Sequence, residues 1–315
     1  MRIIAIEEHF TTSELLAQSD NSRSGRVADQ LLDTAAGRLA VMDEAGIDLQ
    51  VLSTSPPGVQ DLDPRTAVEL ARRTNDELAE IVAAHPDRFA GFATLPTQDA
   101  DAAVLELERC MKDLAFKGTM LHGHTQGHWL DEQRFFPIFE AAVALDAPVY
   151  LHPTPPTAEM SRLYFDGLAP EVSATLGTSA WGWHAETGLH ALRLVASGLF
   201  ERLPTLQIVI GHMGENLPFS LARADSRLTP ILKHSRSVSQ VFQENFWVTT
   251  SAYFTFPPLL CALLVFGADR LIFSVDYPYA DNVSGRRFLD SAPISSADRE
   301  KIAHGNAEAL LGLAP

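Results

Sequence analysis

Short apolar runs alternate with longer amphipathic runs from the first residues of the chain to the last. The apolar runs predict strands at Ile3–Ile6, Asp48–Ser53, Phe89–Thr94, Gly118–Leu121, Pro148–Leu151, Gln207–Ile210, Trp247–Thr250 and Arg270–Phe273. Helical periodicity fills the gaps in GRLAVMDEAG, RTAVELARRTNDELAEIVAAH, DAAVLELERCMKDL, EQRFFPIFEAAVALD, TGLHALRLVASGLFERLP and SADREKIAHGNAEALLGL. LDTAAGRLAVMDEAGID and ADAAVLELERCMKDLAFKG each offer a glycine as helix stop. Eight strands alternating with helices predict an α/β fold of the (β/α)8 TIM-barrel class. Residues 1–315 are expected to form one barrel domain, a usual size for that fold.

Two segments break the alternation. Residues 11–35 begin polar and helix-poor, predicting an extension between the first strand and first helix. Residues 153–183 run about thirty positions without a clear period. Long aperiodic segments in compact domains usually serve as covers, so both are expected over the barrel mouth. A subunit-contact arm is the alternative for residues 153–183.

Ionisable residues close several of the strand-like runs. Glu7 and His9 follow RIIAI, His152 follows PVYL, His212 follows IVIG, and Asp276 follows LIFSV. A (β/α)8 barrel builds its active site at one rim from residues that different strands deliver. Residues i and i+2 of a strand share a face, so Glu7 and His9 reach one barrel end while Glu8 points away. Each residue has a plain structural reading: His152 as a strand cap, Asp276 as an Asx turn or helix cap. Their recurrence at strands one, five and eight favours a metal site of Glu7, His9, His152 and Asp276, with coordination positions left open for substrate or water. A second ion in such barrels usually needs a bridging ligand such as a carboxylated lysine after strand four. KGTMLHGH has Lys117 at the wrong end, so one divalent ion is expected. Zinc and manganese both fit the donors, and the carboxylates tilt the choice toward manganese.

His212 remains open as a further ligand, an acid–base group or a hydrogen-bond partner for a substrate oxygen. Glu215, three residues on, is expected either to orient the imidazole or to cap the following helix. Arg223, along that helix, could grip a carboxylate or form a surface ion pair with Asp225 or a neighbour.

Composition narrows the function. A formal charge of −16 argues against a nucleic-acid partner. FPPLLCALLVFGA is too short and proline-flanked to cross a bilayer, and no secretory leader pattern opens the chain. Cys110 and Cys261 lie in apolar helical contexts, and free buried thiols in a cytoplasmic setting are expected. No glycine-rich phosphate loop is present, and no organic cofactor is expected.

Eight segments carry a family resemblance: IEEHF at Ile6–Phe10, RTNDELAE at Arg73–Glu80, HPDRFAGFATLP at His85–Pro96, YLHP at Tyr150–Pro153, ETGLHALRLVASGLF at Glu186–Phe200, GHMGENLP at Gly211–Pro218, ENFWVTTSAYF at Glu244–Phe254 and GADRLIFSVDYPY at Gly267–Tyr279. Over essentially its whole length the chain resembles the aminocarboxymuconate-semialdehyde decarboxylase-like, metal-dependent decarboxylases of the amidohydrolase superfamily. Within that group it looks most like the gamma-resorcylate and dihydroxybenzoate decarboxylases. The resemblance implies ligands at Glu7, His9, His152 and Asp276, a site lined by His212 and Glu215, and a substrate contact at Arg223. Hydrolytic relatives carry His-x-His on strand one, so Glu7-x-His9 favours the non-hydrolytic branch. The resorcylate enzymes have Asn after strand four where this chain has His122, followed by His124 and His128. That position is expected to face the pocket, so His122, with Phe10, is a candidate substrate contact.

The expected reaction is non-oxidative decarboxylation of a hydroxybenzoate or resorcylate, reversible as phenol carboxylation. A small aromatic carboxylic acid is the expected partner, with self-association into a homodimer or homotetramer. The resemblance makes Asp276 the candidate acid at the carbon bearing the carboxylate, with burial expected to raise its pKa. His212, oriented by Glu215, would hold or deprotonate the phenol oxygen. The alternative is a mononuclear hydrolase of lactonase or amidohydrolase type, or a hydratase, using the ion to activate water.

Overall fold

The structure, a computed structural model, describes residues 1–18 and 25–314. Eight strands follow in chain order: β1 (Ile4–Phe10), β2 (Leu49–Thr54), β3 (Phe89–Gly91), β4 (Thr119–His122), β5 (Val149–His152), β6 (Ile208–Ile210), β7 (Phe246–Thr249) and β8 (Leu271–Ile272). Neighbours pair in parallel in two runs, β1 to β3 and β4 to β8. The β3–β4 seam closes through an Ala93–Thr119 bridge. The β8–β1 seam closes through Asp276 N–H donating to Glu7 O at 3.1 Å and His9 N–H donating to Tyr277 O at 2.7 Å. The result is a (β/α)8 barrel of the TIM type.

Strand alternation sorts the apolar side chains into two layers. Ile4, Ile6, Val51, Met120, Tyr150 and Val209 cluster together, as side chains filling the barrel. Ala5, Phe10, Leu52, Leu121, Leu151 and Ile210 belong to the larger core that packs the helices on the sheet. β1 runs four residues beyond the predicted strand because Glu8, His9 and Phe10 pair with Leu52, Ser53 and Thr54. A register irregularity between Ala5 and Glu8 precedes that pairing.

Local signals explain several helices. Pro64–Ala84 starts at Asp63, whose side chain accepts the Thr66 N–H, with a proline in its first turn. Ala36–Ala45 stops at Gly46, in the left-handed region at φ 66°. The second predicted glycine stop has a different role. Ala100–Lys112 ends at Asp113, and Gly118 immediately precedes β4 instead. A Cβ on Gly118 would stand 2.5 Å from the Pro148 carbonyl oxygen.

Residues 153–183 are more regular than their sequence suggests, containing short helices Ala158–Tyr164 and Pro170–Gly177. The extension at 11–35 likewise holds helices Ser13–Gln18 and Arg26–Leu32, while its residues 19–24 lie outside the described residues. Among the described residues, no helix is long and apolar enough to cross a membrane. Cys110 is buried and Cys261 partly exposed, and both are free thiols.

Candidate active site

Glu7, His9, His152 and Asp276 arrive from β1, β5 and the loop after β8. One donor atom from each lies within 4.8 Å of every other. His152 Nε2 is 3.1 Å from Glu7 Oε1, and His9 Nε2 is 3.2 Å from Asp276 Oδ1. An ion bonded to nitrogen and oxygen donors spaces neighbouring donors about 3.0–3.4 Å apart. Glu7 Oε1, both His9 ring nitrogens and His152 Nε2 are buried without a hydrogen-bond partner among the described residues, although buried polar atoms normally have one. His152 Nδ1 is 2.7 Å from the Pro153 carbonyl oxygen, which fixes the proton there and leaves Nε2 with its lone pair. These donors suit one divalent metal ion.

The other Glu7 oxygen is held from behind. Tyr150 and Ser251 donate short hydroxyl hydrogen bonds to Oε2, and Thr249 Oγ1 donates at 3.0 Å. Thr249 and Ser251 sit two residues apart at the end of β7, so both meet the same carboxylate. Gly211 makes room for it, since a Cβ there would stand 2.9 Å from Oε2 and 3.1 Å from Oε1. Glu8 faces the other way, as strand parity requires. It accepts the Val275 N–H at 2.8 Å and the Tyr277 N–H at 3.2 Å, clamping the backbone on both sides of Asp276 to β1. Burial pushes the Glu8 carboxyl up to about 8 against the pull of those two N–H groups.

After β6 the chain enters an unusual turn. His212, Met213, Gly214, Glu215 and Asn216 all have positive φ, from 50° to 88°. Four of the five are not glycine, and left-handed backbone of this kind costs about 1–2 kcal/mol per residue. The helix begins only at Leu217, so Glu215 does not enter its first turn. Instead Glu215 Oε1 meets His212 Nδ1 at 2.7 Å and Oε2 meets His184 Nδ1 at 2.8 Å. His212 Nε2 thereby faces the ligand cluster, 3.7 Å from both Glu7 Oε1 and Asp276 Oδ2.

Charge in this cluster follows from contact. Burial opposes ionisation of Glu7, yet His212, His152 and His9 hold its carboxyl well below the ordinary range. Burial likewise acts to raise Asp276, but His212 and His9 outweigh it and hold the carboxyl low. The expectation of a raised Asp276 is therefore corrected: two imidazoles at its oxygens offset the desolvation. Burial keeps His9 below the usual histidine value, which suits a neutral ligand. His212 is raised well above its usual value despite burial, because Glu215 and Glu7 stabilise the cation.

A cavity of about 360 Å³ opens on the cluster, lined by Pro56, His152, Ser179, Trp183, His184, His212, Ala252, Tyr253, Asp276 and Tyr279. The end of the 153–183 segment thus forms one wall, whereas no described residue of the 11–35 extension does. The buried Trp183 Nε1 has no hydrogen-bond partner among the described residues.

Three proposed substrate contacts stand elsewhere. Phe10 packs in the core outside the sheet, because strand alternation turns it opposite to His9. His122 lies behind His152, its ring edge-on at 5.5 Å and its Nε2 3.0 Å from the Thr54 carbonyl oxygen. Arg223 is exposed on the helix Leu217–Leu232, whose Leu217 and Leu221 face inward and so turn Arg223 out. Asp225, the surface partner considered for it, bonds Thr229 Oγ1 and the Ser239 N–H. His124 is buried 3.8 Å from Glu186, and the exposed His128 meets Glu132 at 3.0 Å.

Sequence reasoning missed Tyr150, Thr249, Ser251, Trp183 and His184. The hydroxyl pair Thr249 and Ser251, at strand spacing beside a strand end, was the one signal available locally.

The amidohydrolase family profile matches residues 9–313. A gamma-resorcylate decarboxylase from Polaromonas sp. (strain JS666) is 42% identical over 330 aligned positions, covering 98% of each chain. A crystal structure of 2,6-dihydroxybenzoate decarboxylase complexed with 2,6-dihydroxybenzoate superimposes with a TM-score of 0.91 at 40% identity, covering 99% of each chain. A dihydroxybenzoic acid decarboxylase from Polaromonas sp. JS666, with bound manganese and the inhibitor 2-nitroresorcinol, superimposes with a TM-score of 0.92 at 41% identity, covering 99% of this chain and 97% of that one.

Proposed function

We propose that this chain, which belongs to the amidohydrolase family, removes carbon dioxide from a hydroxylated benzoic acid of the 2,6-dihydroxybenzoate type. The observation that carries the reading is the buried quartet Glu7, His9, His152 and Asp276, with His212 Nε2 facing it, in a chain so similar to metal-containing decarboxylases. The quartet holds one divalent ion, manganese by analogy with those relatives. When bound, the ion would supply a Lewis acid that withdraws charge from the substrate's oxygens.

The protein's own groups do the rest. Trp183, Tyr253 and Tyr279 give the cavity aromatic walls for a flat ring. Breaking the bond to the carboxylate requires a proton on the ring carbon that bears it. Otherwise the departing electron pair would be left as an aryl anion. His212, raised well above its usual value, holds that proton at Nε2, 3.7 Å from Asp276 Oδ2, and Asp276, ionised at rest, relays it to the carbon. Glu215 at Nδ1 keeps the ring turned so that Nε2 faces Asp276. Once the carbon is protonated, the C–C bond breaks, its electron pair restores aromaticity, and carbon dioxide leaves. No electron acceptor is consumed.

Residues 1–315 act as one barrel domain in this reading, with the 153–183 segment as its cover. A cytoplasmic setting fits the two free thiols. Association into a dimer or tetramer is supported by Leu163, Tyr164, Leu168 and Trp181, each more than half exposed, since exposed apolar groups of this kind mark contact surfaces. The test is manganese-loaded protein with a panel of hydroxybenzoates in heavy water. One deuterium in the product, at the carbon that carried the carboxylate, is expected together with carbon dioxide. Hydrolysis of lactones or amides, with no carbon dioxide from any aromatic acid, overturns the reading.

A further inference from the structure

We infer that His184 is a positioning residue for the reaction, the third member of a His212–Glu215–His184 chain that ties the acid–base group to the segment covering the cavity. The inference rests on the decarboxylase reading for its kinetic test and on geometry for its structure. All three side chains are buried, with His184 at 3% exposure, Glu215 at 1% and His212 at 5%.

The two oxygens of Glu215 are divided between the two imidazoles. His212 Nδ1 meets one at 2.7 Å and His184 Nδ1 meets the other at 2.8 Å. The terminal torsion of a glutamate is soft and roughly two-fold, so a carboxylate bonded on one side only can swivel. A second imidazole on the other oxygen removes that freedom, and with it the freedom of the His212 ring. His184 is itself pinned at both nitrogens, because Nε2 lies 3.0 Å from the carbonyl oxygen of Ser179. Its ring also packs edge-on against His212 and Tyr253, with centroids at 4.7 and 5.2 Å.

The backbone is shaped for this contact. The helix Gly182–Ala196 that carries His184 approaches the left-handed turn so closely that a Cβ on Gly188 would stand 2.4 Å from the Glu215 carbonyl oxygen. Ser179 and His184 also line the cavity. Placement of the 179–184 wall is thereby transmitted through Glu215 to His212. The same three side chains stand close enough to hold an ion. Their facing atoms are already matched to one another, which favours the hydrogen-bonded chain.

The test uses the full-length, manganese-loaded protein and the variants His184→Ala and His184→Gln. Alanine is expected to lower kcat on 2,6-dihydroxybenzoate by about 10–100-fold, the usual cost of an outer-shell partner, with KM and metal content little changed. Glutamine, whose amide still donates to Glu215, is expected to recover much of that loss. Alanine within twofold of the parent overturns the inference. So does a loss that glutamine fails to relieve and that follows metal content or melting temperature. The ring ¹⁵N resonances of His212 give a readout free of substrate. They should report Nδ1 protonation in the parent and exchange between ring states in His184→Ala, and identical spectra overturn the inference. A parent that decarboxylates nothing, yet shows that spectral change, refutes the reaction and leaves the positioning chain standing.

Discussion

Replacing Tyr150 with phenylalanine removes one oxygen from the back of the ligand cluster and leaves the fully buried ring in place. That hydroxyl donates to Glu7 Oε2 and also lies 2.9 Å from Thr249 Oγ1. A hydrogen bond to a buried ionised group is worth about 1.5–3 kcal/mol. Thr249 and Ser251 still serve the same oxygen, so the carboxylate remains buried and partnered but is less firmly aimed. Outer-shell partners of this kind typically contribute about 10–100-fold to metal affinity. That range equals about 1.4–2.8 kcal/mol, in agreement with the value of the lost bond. Manganese affinity measured by chelator competition should therefore weaken by about tenfold or more in Tyr150→Phe, and the metal-free fold should persist by circular dichroism. Ser251→Ala should act in the same direction, and the double variant should lose more than the sum of the two, because each hydroxyl compensates for loss of the other at one oxygen. An affinity within twofold of the parent in a folded Tyr150→Phe protein would refute the idea that the hydroxyls orient Glu7.

Gly211→Ala keeps an extended backbone that alanine tolerates, at φ −78°, but drives a methyl against the Glu7 carboxylate. Metal content should drop well below one ion per chain, and a fully loaded variant would count against the assigned ligand. Glu8→Ala leaves the Val275 and Tyr277 N–H groups without the acceptor they share, so urea unfolding should show a loss of about 1–3 kcal/mol. An unchanged unfolding midpoint contradicts the clamp. Burial lifts the Glu186 carboxyl from 4.5 to about 7, which makes its ionisation a folding penalty. That penalty is absent below pH 4.5, grows between the two values and is complete above pH 7. Glu186→Gln should therefore raise the melting temperature relative to the parent at pH 8 and have little effect at pH 4.5, and an equal shift at both would exclude this origin.

The barrel was legible because strand alternation is a local, period-two signal, and all eight strands overlap their predicted positions. The same period explains why Glu7 and His9 share a face with Glu8 opposite, a relation set within three residues. What lay beyond local pattern was less visible. Glu215 read as the start of a helix, but five consecutive positive φ angles turn it back onto His212 and His184. His184 lies 31 residues from Glu215 in the chain, with no spacing rule to connect them. Phe10, His122 and Arg223 were placed in the pocket by family resemblance and by position along the chain. Side-chain direction, fixed by strand parity, the Thr54 carbonyl and the inward Leu217–Leu221 stripe, carried them elsewhere. Residues 153–183 lack a long period because they fold as two short helices, each too brief to show one.

The central claim is tested most directly by following carbon dioxide from carboxyl-labelled 2,6-dihydroxybenzoate, with bound metal measured in the same samples, for the parent and His152→Ala. The account predicts one labelled carbon dioxide and one resorcinol per substrate consumed by a parent holding one ion per chain, and neither metal nor turnover in the variant. Turnover that survives complete loss of the ion, or a fully loaded parent that releases no label, would contradict it.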